Sequence, residues 1–334
     1  MEEPWFIILS IASSIIVMLT ICGNTLVIAC VIHSRNIMQS ITSYFICSLA
    51  CADLLIGIGV MPFTAFQIVK GNWIFGSLAC NIRYMMDISS VTASINSLCL
   101  IAIDRYVAVM MPLRYRTLMT SRRAFFLIVI VWVEAISLSF IPLHFGWYRA
   151  TDQEAQECYD NPECCVFIGN VNFVFATAIF PFYIPITAMI FLYARILKEA
   201  NRQVEKINQT GVSSTRNENT QERNSGGRTI SHNERRALKT LVVVLGVFIV
   251  CWLPFFIMYP VQGICRHCIT EPQFHITIWV GYLNSVCNPI LYTRNPEFLA
   301  AYKLLLCKNA ASQKVKQWHT RRQMRKIVNT PQNN

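Results

Sequence analysis

Seven long apolar stretches separated by polar ones set the pattern of this chain: about Trp5 to Ile32, Thr42 to Val69, Cys80 to Met110, Ala124 to Trp147, Phe167 to Ile196, Ala237 to Ile264 and Phe274 to Thr293. A bilayer core about 30 Å thick needs roughly 20 apolar residues of helix, so each stretch predicts one crossing. Seven crossings predict an all-α membrane protein, a seven-transmembrane helix bundle over residues 1–293 with its termini on opposite sides. From Leu197 to Arg236 the composition turns to Asn, Gln, Ser, Thr, Arg and Glu, which predicts a flexible inner loop at 198–236 with basic helical extensions rather than a domain. Beyond Thr293, Pro296 suits a first helical turn and Phe298, Leu299, Tyr302, Leu305 and Leu306 form an apolar stripe. Residues 294–307 therefore read as a short amphipathic eighth helix on the inner leaflet, and 308–334 as a basic cytoplasmic tail. Cys307, with Lys303 and Lys308 close by, suits palmitoylation.

Composition agrees: of 334 residues 54% are hydrophobic and 14% charged, too apolar for a soluble domain of this size. Charge sets the orientation. With the amino terminus outside, only Lys70, Arg83, Arg149 and Arg266 of the 29 Lys and Arg face outward, which leaves the inner loops basic, as expected of a multi-pass membrane protein. Glu2, Glu3, Asp152, Glu154, Glu157, Asp160, Glu163 and Glu271 are then external, a mouth that favours the approach of cations. The first run follows Glu2 and Glu3 rather than a basic start, so it reads as a span and not as a cleaved signal. The sequon Asn208-Gln209-Thr210 lies on the inner side and reads as a chance match.

Ionisable groups inside the spans carry the functional signal, because they are expensive in a bilayer and face a bundle interior or a cavity. Asp87 and the pair Asp104-Arg105 share one helix; from Asp87 to Arg105 is roughly 27 Å and about five turns, so both project from one face near opposite membrane surfaces. Asp53 sits mid-span, where an isolated carboxylate either stays protonated in a polar core or holds a sodium-type cation with oxygens from Asn24, Ser94, Asn284, Ser285 and Asn288. For Glu134 a bonded neutral carboxyl, a snorkelling side chain and a ligand contact are all open. Pro181 and Pro185 predict a kink or bulge in the fifth span, Pro254 a pivot beside Trp252, Phe255 and Phe256 in the sixth, and Pro289 a break in the seventh.

Of the fourteen cysteines, Cys22, Cys30, Cys47, Cys51, Cys99, Cys251 and Cys287 lie within spans and read as small apolar fillers. Cys80, Cys158, Cys164, Cys165, Cys265 and Cys268 face the oxidising side, an even number that permits three bridges. For Cys265 and Cys268 a local disulfide, two free thiols and half a zinc site with His267 are the alternatives.

Asp104-Arg105-Tyr106, the Cys251-Trp252-Leu253-Pro254 box and Asn288-Pro289 with Tyr292, in that order, resemble the rhodopsin-like G-protein-coupled receptors over nearly the whole chain. Asp87, seven residues after Cys80, with Phe255-Phe256, Trp279 and Tyr282, resembles the amine receptors among them. Ser48 to Asp53, Val91 to Ser94, Trp147 to Thr151 and Cys164-Cys165 are closest in texture to the β-adrenergic group, with trace-amine, dopamine and serotonin receptors near relatives.

The resemblance implies that Asp87 pairs with a ligand ammonium in a site of Asp87, Ile88, Val91, Thr177, Trp252, Phe255, Phe256, Tyr259, Trp279 and Tyr282. It implies the bridges Cys80–Cys165 and Cys158–Cys164, and a switch made of Asp104, Arg105, Tyr106, Tyr193, Glu234, Pro254, Pro289 and Tyr292. In that switch Arg105 pairs at rest with Asp104 and Glu234. The implied partners are a small cationic amine, a heterotrimeric G protein of the stimulatory type, a receptor kinase and an arrestin. No nucleic acid, no catalytic chemistry and no cofactor beyond a sodium ion at Asp53 is implied.

The chain departs from the adrenergic pattern at Thr177, Ala178 and Pro181, where serines meet catechol hydroxyls, and at Tyr259 and Ile278, which replace asparagines. Without those partners the pocket favours an ammonium on an apolar or lightly polar body, a biogenic or trace amine. A diamine or polyamine reaching the external acids is a variant, and a true catecholamine receptor the alternative. A cation transporter or channel is the competing class; it needs a continuous polar path, whereas the polar residues stop at Trp252 and Phe248. An enzyme has no nucleophile–base pair to rest on.

Overall fold

The computed structural model describes residues 3–213 and 232–306, with side chains at 7–34, 37–202 and 239–306. The side chains of Glu234 and of the Asn208 sequon, together with Cys307 and the 308–334 tail, lie outside the described residues.

Spans 1 to 4 are Glu3–His33, Ile41–Gly59 continued by Met61–Lys70, Gly76–Met110 and Ser121–His144. Span 5 runs Val171–Ala178, through Ile179–Tyr183, to Ile184–Ser213; spans 6 and 7 are His232–Ile264 and Glu271–Tyr292, and Pro296–Leu306 follows as a short eighth helix. Six of the seven are long and apolar enough to cross a membrane. The seventh, 22 residues long, is more polar because it turns Thr277, Tyr282, Asn284, Ser285 and Asn288 into the bundle. At the ends of the 198–236 stretch, where helical extensions were expected, helix continues to Ser213 and resumes at His232.

Large apolar side chains point outward, among them Phe125, Phe126, Ile130, Val133 and Ile136 on span 4, the reverse of a protein whose solvent is water. Polar groups cross-link the interior instead. Trp132 Nε1 donates to Ser48 Oγ at 3.0 Å, and the Ser48 and Ser97 hydroxyls meet at 3.0 Å, which joins spans 4, 2 and 3. Asn24 Nδ2 donates to the Ser285 carbonyl at 3.0 Å and joins spans 1 and 7. Glu134 lies on the outer face of span 4, where its Oε2 accepts from Asn96 Nδ2 at 3.3 Å.

At the Asp87 end, spans 2 and 3 join through a tight turn in which Gly71 is left-handed, with φ 74°, a conformation that costs glycine nothing. The loop between spans 4 and 5 folds over this end and carries a helix, Gln153–Asp160, capped by Asp152 Oδ1 accepting from Ala155 N at 3.0 Å. Disulfides Cys80–Cys165 and Cys158–Cys164 staple it, and Cys265–Cys268 closes the turn between spans 6 and 7. Span 5 begins at Val171 rather than Phe167. Cys165 is tethered to span 3, so the chain after it crosses the bundle as loop until Asn170 caps the helix, accepting from Phe173 N at 2.9 Å and donating to the Trp147 carbonyl at 2.7 Å. Pro181, which has no N–H to give, falls in a π-helical turn, Ile179–Tyr183, that faces the buried Phe182 inward.

Candidate functional site: an acidic pocket above a polar core

Asp87 of span 3 accepts a hydrogen bond on Oδ2 from the Tyr282 hydroxyl of span 7 at 2.9 Å. Its other oxygen, Oδ1, is buried without a partner among the described residues. From Tyr282 a chain of rings runs through the pocket: Trp279 at 5.8 Å, Trp252 at 6.2 Å, then Phe255 and Phe256 at 5.8 and 6.0 Å from Trp252. Phe255 stacks on Tyr259 at 5.4 Å, and the Tyr259 hydroxyl lies 3.2 Å from Thr177 Oγ1 on span 5. Eight of the ten expected ligand-site residues are thus linked in one network, while Ile88, half-buried, and Val91, buried, follow Asp87 on the same helix. The Thr177 hydroxyl is not a spare donor, because it donates to the Phe173 carbonyl at 2.8 Å.

Several residues at this site carried no functional expectation. Arg83, read above only as an outward charge, is 6% exposed and sits one turn from Asp87 on the same helix. Its guanidinium carbon lies 4.1 Å from the Tyr84 ring centre and 5.5 Å from that of Trp73, and Nη1 donates to Thr64 Oγ1 at 3.2 Å. Phe167, from the loop, packs on Tyr84 at 5.0 Å and on Tyr148 at 5.2 Å, and Phe182 stacks on Phe256 at 3.7 Å. Gln67 Nε2 and the Tyr84 hydroxyl both donate to the Cys165 carbonyl, at 2.7 and 3.2 Å, and fix the loop to spans 2 and 3. Only the i, i+4 spacing of Arg83 to Asp87 was visible in the sequence.

Over the mouth, both carboxylate oxygens of Asp152 accept from the guanidinium of Arg266, and Glu154 lies 3.8 Å from it. Two of the external acids expected to hold a second ammonium already face a cation of the chain itself. Arg266 holds the Asp152 carboxyl below its ordinary 3.8, and the carboxylates in turn hold the Arg266 guanidinium above its ordinary value. A cavity of about 340 Å³ beside this clasp is lined by, among others, Phe167, Val174, Tyr259, Arg266, His267 and Glu271.

Below Trp252, Asp53 is fully buried and accepts from Ser285 Oγ at 2.7 Å and Asn288 Nδ2 at 2.9 Å. Asn24, Ser94 and Asn284 make no bond to it: Asn24 donates to backbone carbonyls, and Ser94 Oγ, Asn284 Oδ1, Asn24 Oδ1 and Asn288 Oδ1 are buried without partners among the described residues. One carboxylate with unpartnered neutral oxygens in the same core is a donor set that fits a hard cation such as sodium.

At the opposite end, Asp104 is fully buried and takes the Arg105 guanidinium at 2.5 Å, Thr42 Oγ1 at 2.7 Å and the Tyr115 hydroxyl at 2.7 Å. Arg105 Nη2 also donates to Thr42 Oγ1 at 2.5 Å. Thr42 and Tyr115 had no expected role. Tyr193 and Tyr292 are buried, and Tyr106 packs on the core. Pro254 and Pro289 lie inside spans 6 and 7, and Pro260 is a second proline within the continuous helix of span 6. Tyr302 of the eighth helix donates to the Pro289 carbonyl at 3.2 Å, and Phe298 packs on Tyr292 at 5.5 Å.

Residues 23–292 match the 7 transmembrane receptor (rhodopsin family) description. The chain is 37% identical over 306 residues to the octopamine receptor beta-1R of Drosophila melanogaster, covering 87% of this chain and 60% of that one. It is 34% identical over 320 residues to the D(1A) dopamine receptor of Didelphis virginiana (88% and 72%), and 35% identical over 320 residues to a D(5)-like dopamine receptor of Takifugu rubripes (89% and 67%). It thus spans under two thirds of the fly receptor's length and somewhat more of the vertebrate ones. With seven helices in order and a match over most of its length, the chain belongs to the rhodopsin family of seven-transmembrane receptors, multi-pass membrane proteins that are receptors and not enzymes.

Proposed function

We propose that this chain is a plasma-membrane receptor for a small biogenic or trace amine, with its amino terminus outside, that signals through a heterotrimeric G protein of the stimulatory type. The observation that carries the reading is Asp87, a carboxylate oriented by Tyr282 with its second oxygen unpartnered beside the Trp252, Phe255 and Trp279 rings. An ammonium answers both features, as a counter-ion and as a cation over aromatic faces. The matched relatives are named for octopamine and dopamine, which are both amines.

An agonist that binds better to the active arrangement shifts a two-state bundle toward it. Tyr282 couples Asp87 to Trp252, two residues from Pro254, so an occupied pocket bears directly on the pivot of span 6. The G protein enters beside Arg105, Tyr193 and Tyr292 once span 6 swings away, and a receptor kinase and an arrestin act at the same end. A screen of primary amines, diamines, polyamines and catecholamines in transfected cells, read as cyclic AMP, tests the reading. A simple amine is expected to act at lower concentration than adrenaline or noradrenaline. Silence to every amine would overturn the reading, and a catecholamine surpassing all simple amines would overturn the choice of ligand.

A further inference from the structure

Arg83 is a buried cation that forms no ion pair among the described residues. Its Nη1 is bonded to a neutral hydroxyl, Thr64, its Nη2 lies 3.4 Å from Cys165 Sγ, a weak acceptor, and its Nε is buried with no partner. Asp87, one turn along the same helix, is close enough for the two charges to interact, yet the pair is not in contact. Asp87 leaves Oδ1 unpartnered where Arg83 leaves Nε unpartnered. A third such atom comes from span 7: His275 Nδ1 is buried without a partner among the described residues, on the same helix about two turns before Tyr282, the residue that bonds Asp87. Three unanswered polar atoms therefore lie at this end of spans 3 and 7, one acceptor at the Asp87 level and two nitrogens toward the mouth. Buried charges without partners are costly, and a site built to bond a ligand group loses affinity for analogues that lack it.

We infer that the ligand has two poles: a zwitterionic amine of the amino-acid class, whose ammonium meets Asp87 Oδ1 and whose carboxylate takes the Arg83 Nε–H, with His275 Nδ1 as a second donor in its protonated tautomer. One helical turn separates the levels by about 6 Å along the axis, and the long Arg83 side chain shortens that gap, which suits an ammonium and a carboxylate on neighbouring carbons or a few carbons apart. A second ammonium would instead approach Arg83, so the same geometry disfavours diamines. The inference rests on the amine reading, because Asp87 must take the ammonium.

Matched pairs that differ only by the carboxylate test it: tyrosine against tyramine, and phenylalanine against phenethylamine, with γ-aminobutyrate as a wider-spaced zwitterion. Each is measured on the full-length receptor by thermal shift of purified protein and by the cyclic-AMP response. The zwitterion should exceed its decarboxylated partner by about tenfold to a hundredfold, the size of one charge-assisted hydrogen bond. Arg83→Gln should erase that advantage and leave the simple amine equal or improved, and Asp87→Asn should remove both. If Arg83→Gln does not reach the surface, the wild-type pairs still decide. Simple amines that match or exceed their zwitterions would overturn the inference, leave Arg83 as a packing cation between Tyr84 and Trp73, and leave the amine reading standing. No shift or response to any amine or zwitterion would overturn both.

Discussion

Tyr282 donates to Asp87 Oδ2 at 2.9 Å while its ring meets Trp252 edge-on at 6.2 Å, so one side chain joins the pocket's anion to the aromatic beside the span 6 proline. Trp252 is held from the other side by Gly281, where an added Cβ would fall 2.8 Å from the Trp252 carbons Cε3 and Cζ3. Gly281→Ala should push the indole out of register at a cost of about 1–3 kcal/mol, the range for overpacking a filled core. Purified variant should melt at lower temperature and respond to agonist with reduced potency. A wild-type melting point together with wild-type potency would show that Trp252 has room to move.

The opposite end should be a lock. Asp104 collects Arg105, Thr42 and Tyr115, and removing its charge frees Arg105 from its only ion pair among the described residues. Asp104→Asn is expected to raise basal cyclic AMP severalfold, since it weakens contacts that hold the resting arrangement. Glu234→Ala should act in the same direction if that acid also holds Arg105. Basal signalling unchanged in both variants at matched surface expression would contradict the lock.

Much of this fold was legible because a bilayer imposes one rule on every span, and runs such as Ala124 to Trp147 obey it visibly. The start of span 5 was not legible, because Cys165 and Asn170 override the apolar run through contacts with span 3 and with Trp147. Asp87 and Tyr282 stood out as residue types, but their bond joins positions 195 apart and depends on how spans 3 and 7 pack. Thr42 and Tyr115 belong to no motif and reach Asp104 only through tertiary placement. Arg83 was legible too, since a cation four residues before Asp87 shares its helix face.

The loop disulfides should differ in weight. Cys80–Cys165 closes an 85-residue separation and Cys265–Cys268 one of three, which in the chain-entropy picture is about 4–5 against about 2 kcal/mol. Cys165 also anchors Gln67 and Tyr84 through its carbonyl. Cys80→Ala or Cys165→Ala should abolish surface expression or binding, whereas Cys265→Ala should be milder. Equal losses, or a free Cys80 thiol found by mapping, would contradict this order.

The Asp152–Arg266 clasp joins the two loops over the mouth and should withstand mild acid. Arg266 holds the Asp152 carboxyl below 3.8, and a carboxylate depressed by folding contributes stability above its unfolded pKa and loses it as pH falls through the folded one. The clasp should thus persist from about pH 5 upward and open only below about pH 4. The pair is solvent-exposed, so Asp152→Asn should speed ligand entry and exit only a few-fold with little change in affinity. Rates indistinguishable from wild type would show that the clasp does not gate the mouth.

The most direct measurement concerns Asp87 itself. The most potent amine from the screen is titrated against wild type and Asp87→Asn at matched surface expression, with cyclic AMP as readout and ligand-induced thermal shift of purified receptor alongside. Removing one partner of a desolvated ion pair costs about 2–5 kcal/mol, so potency and affinity should both fall by at least about 30-fold for every amine tested. An Asp87→Asn receptor that keeps its amine response within about threefold of wild type would show that the ammonium binds elsewhere.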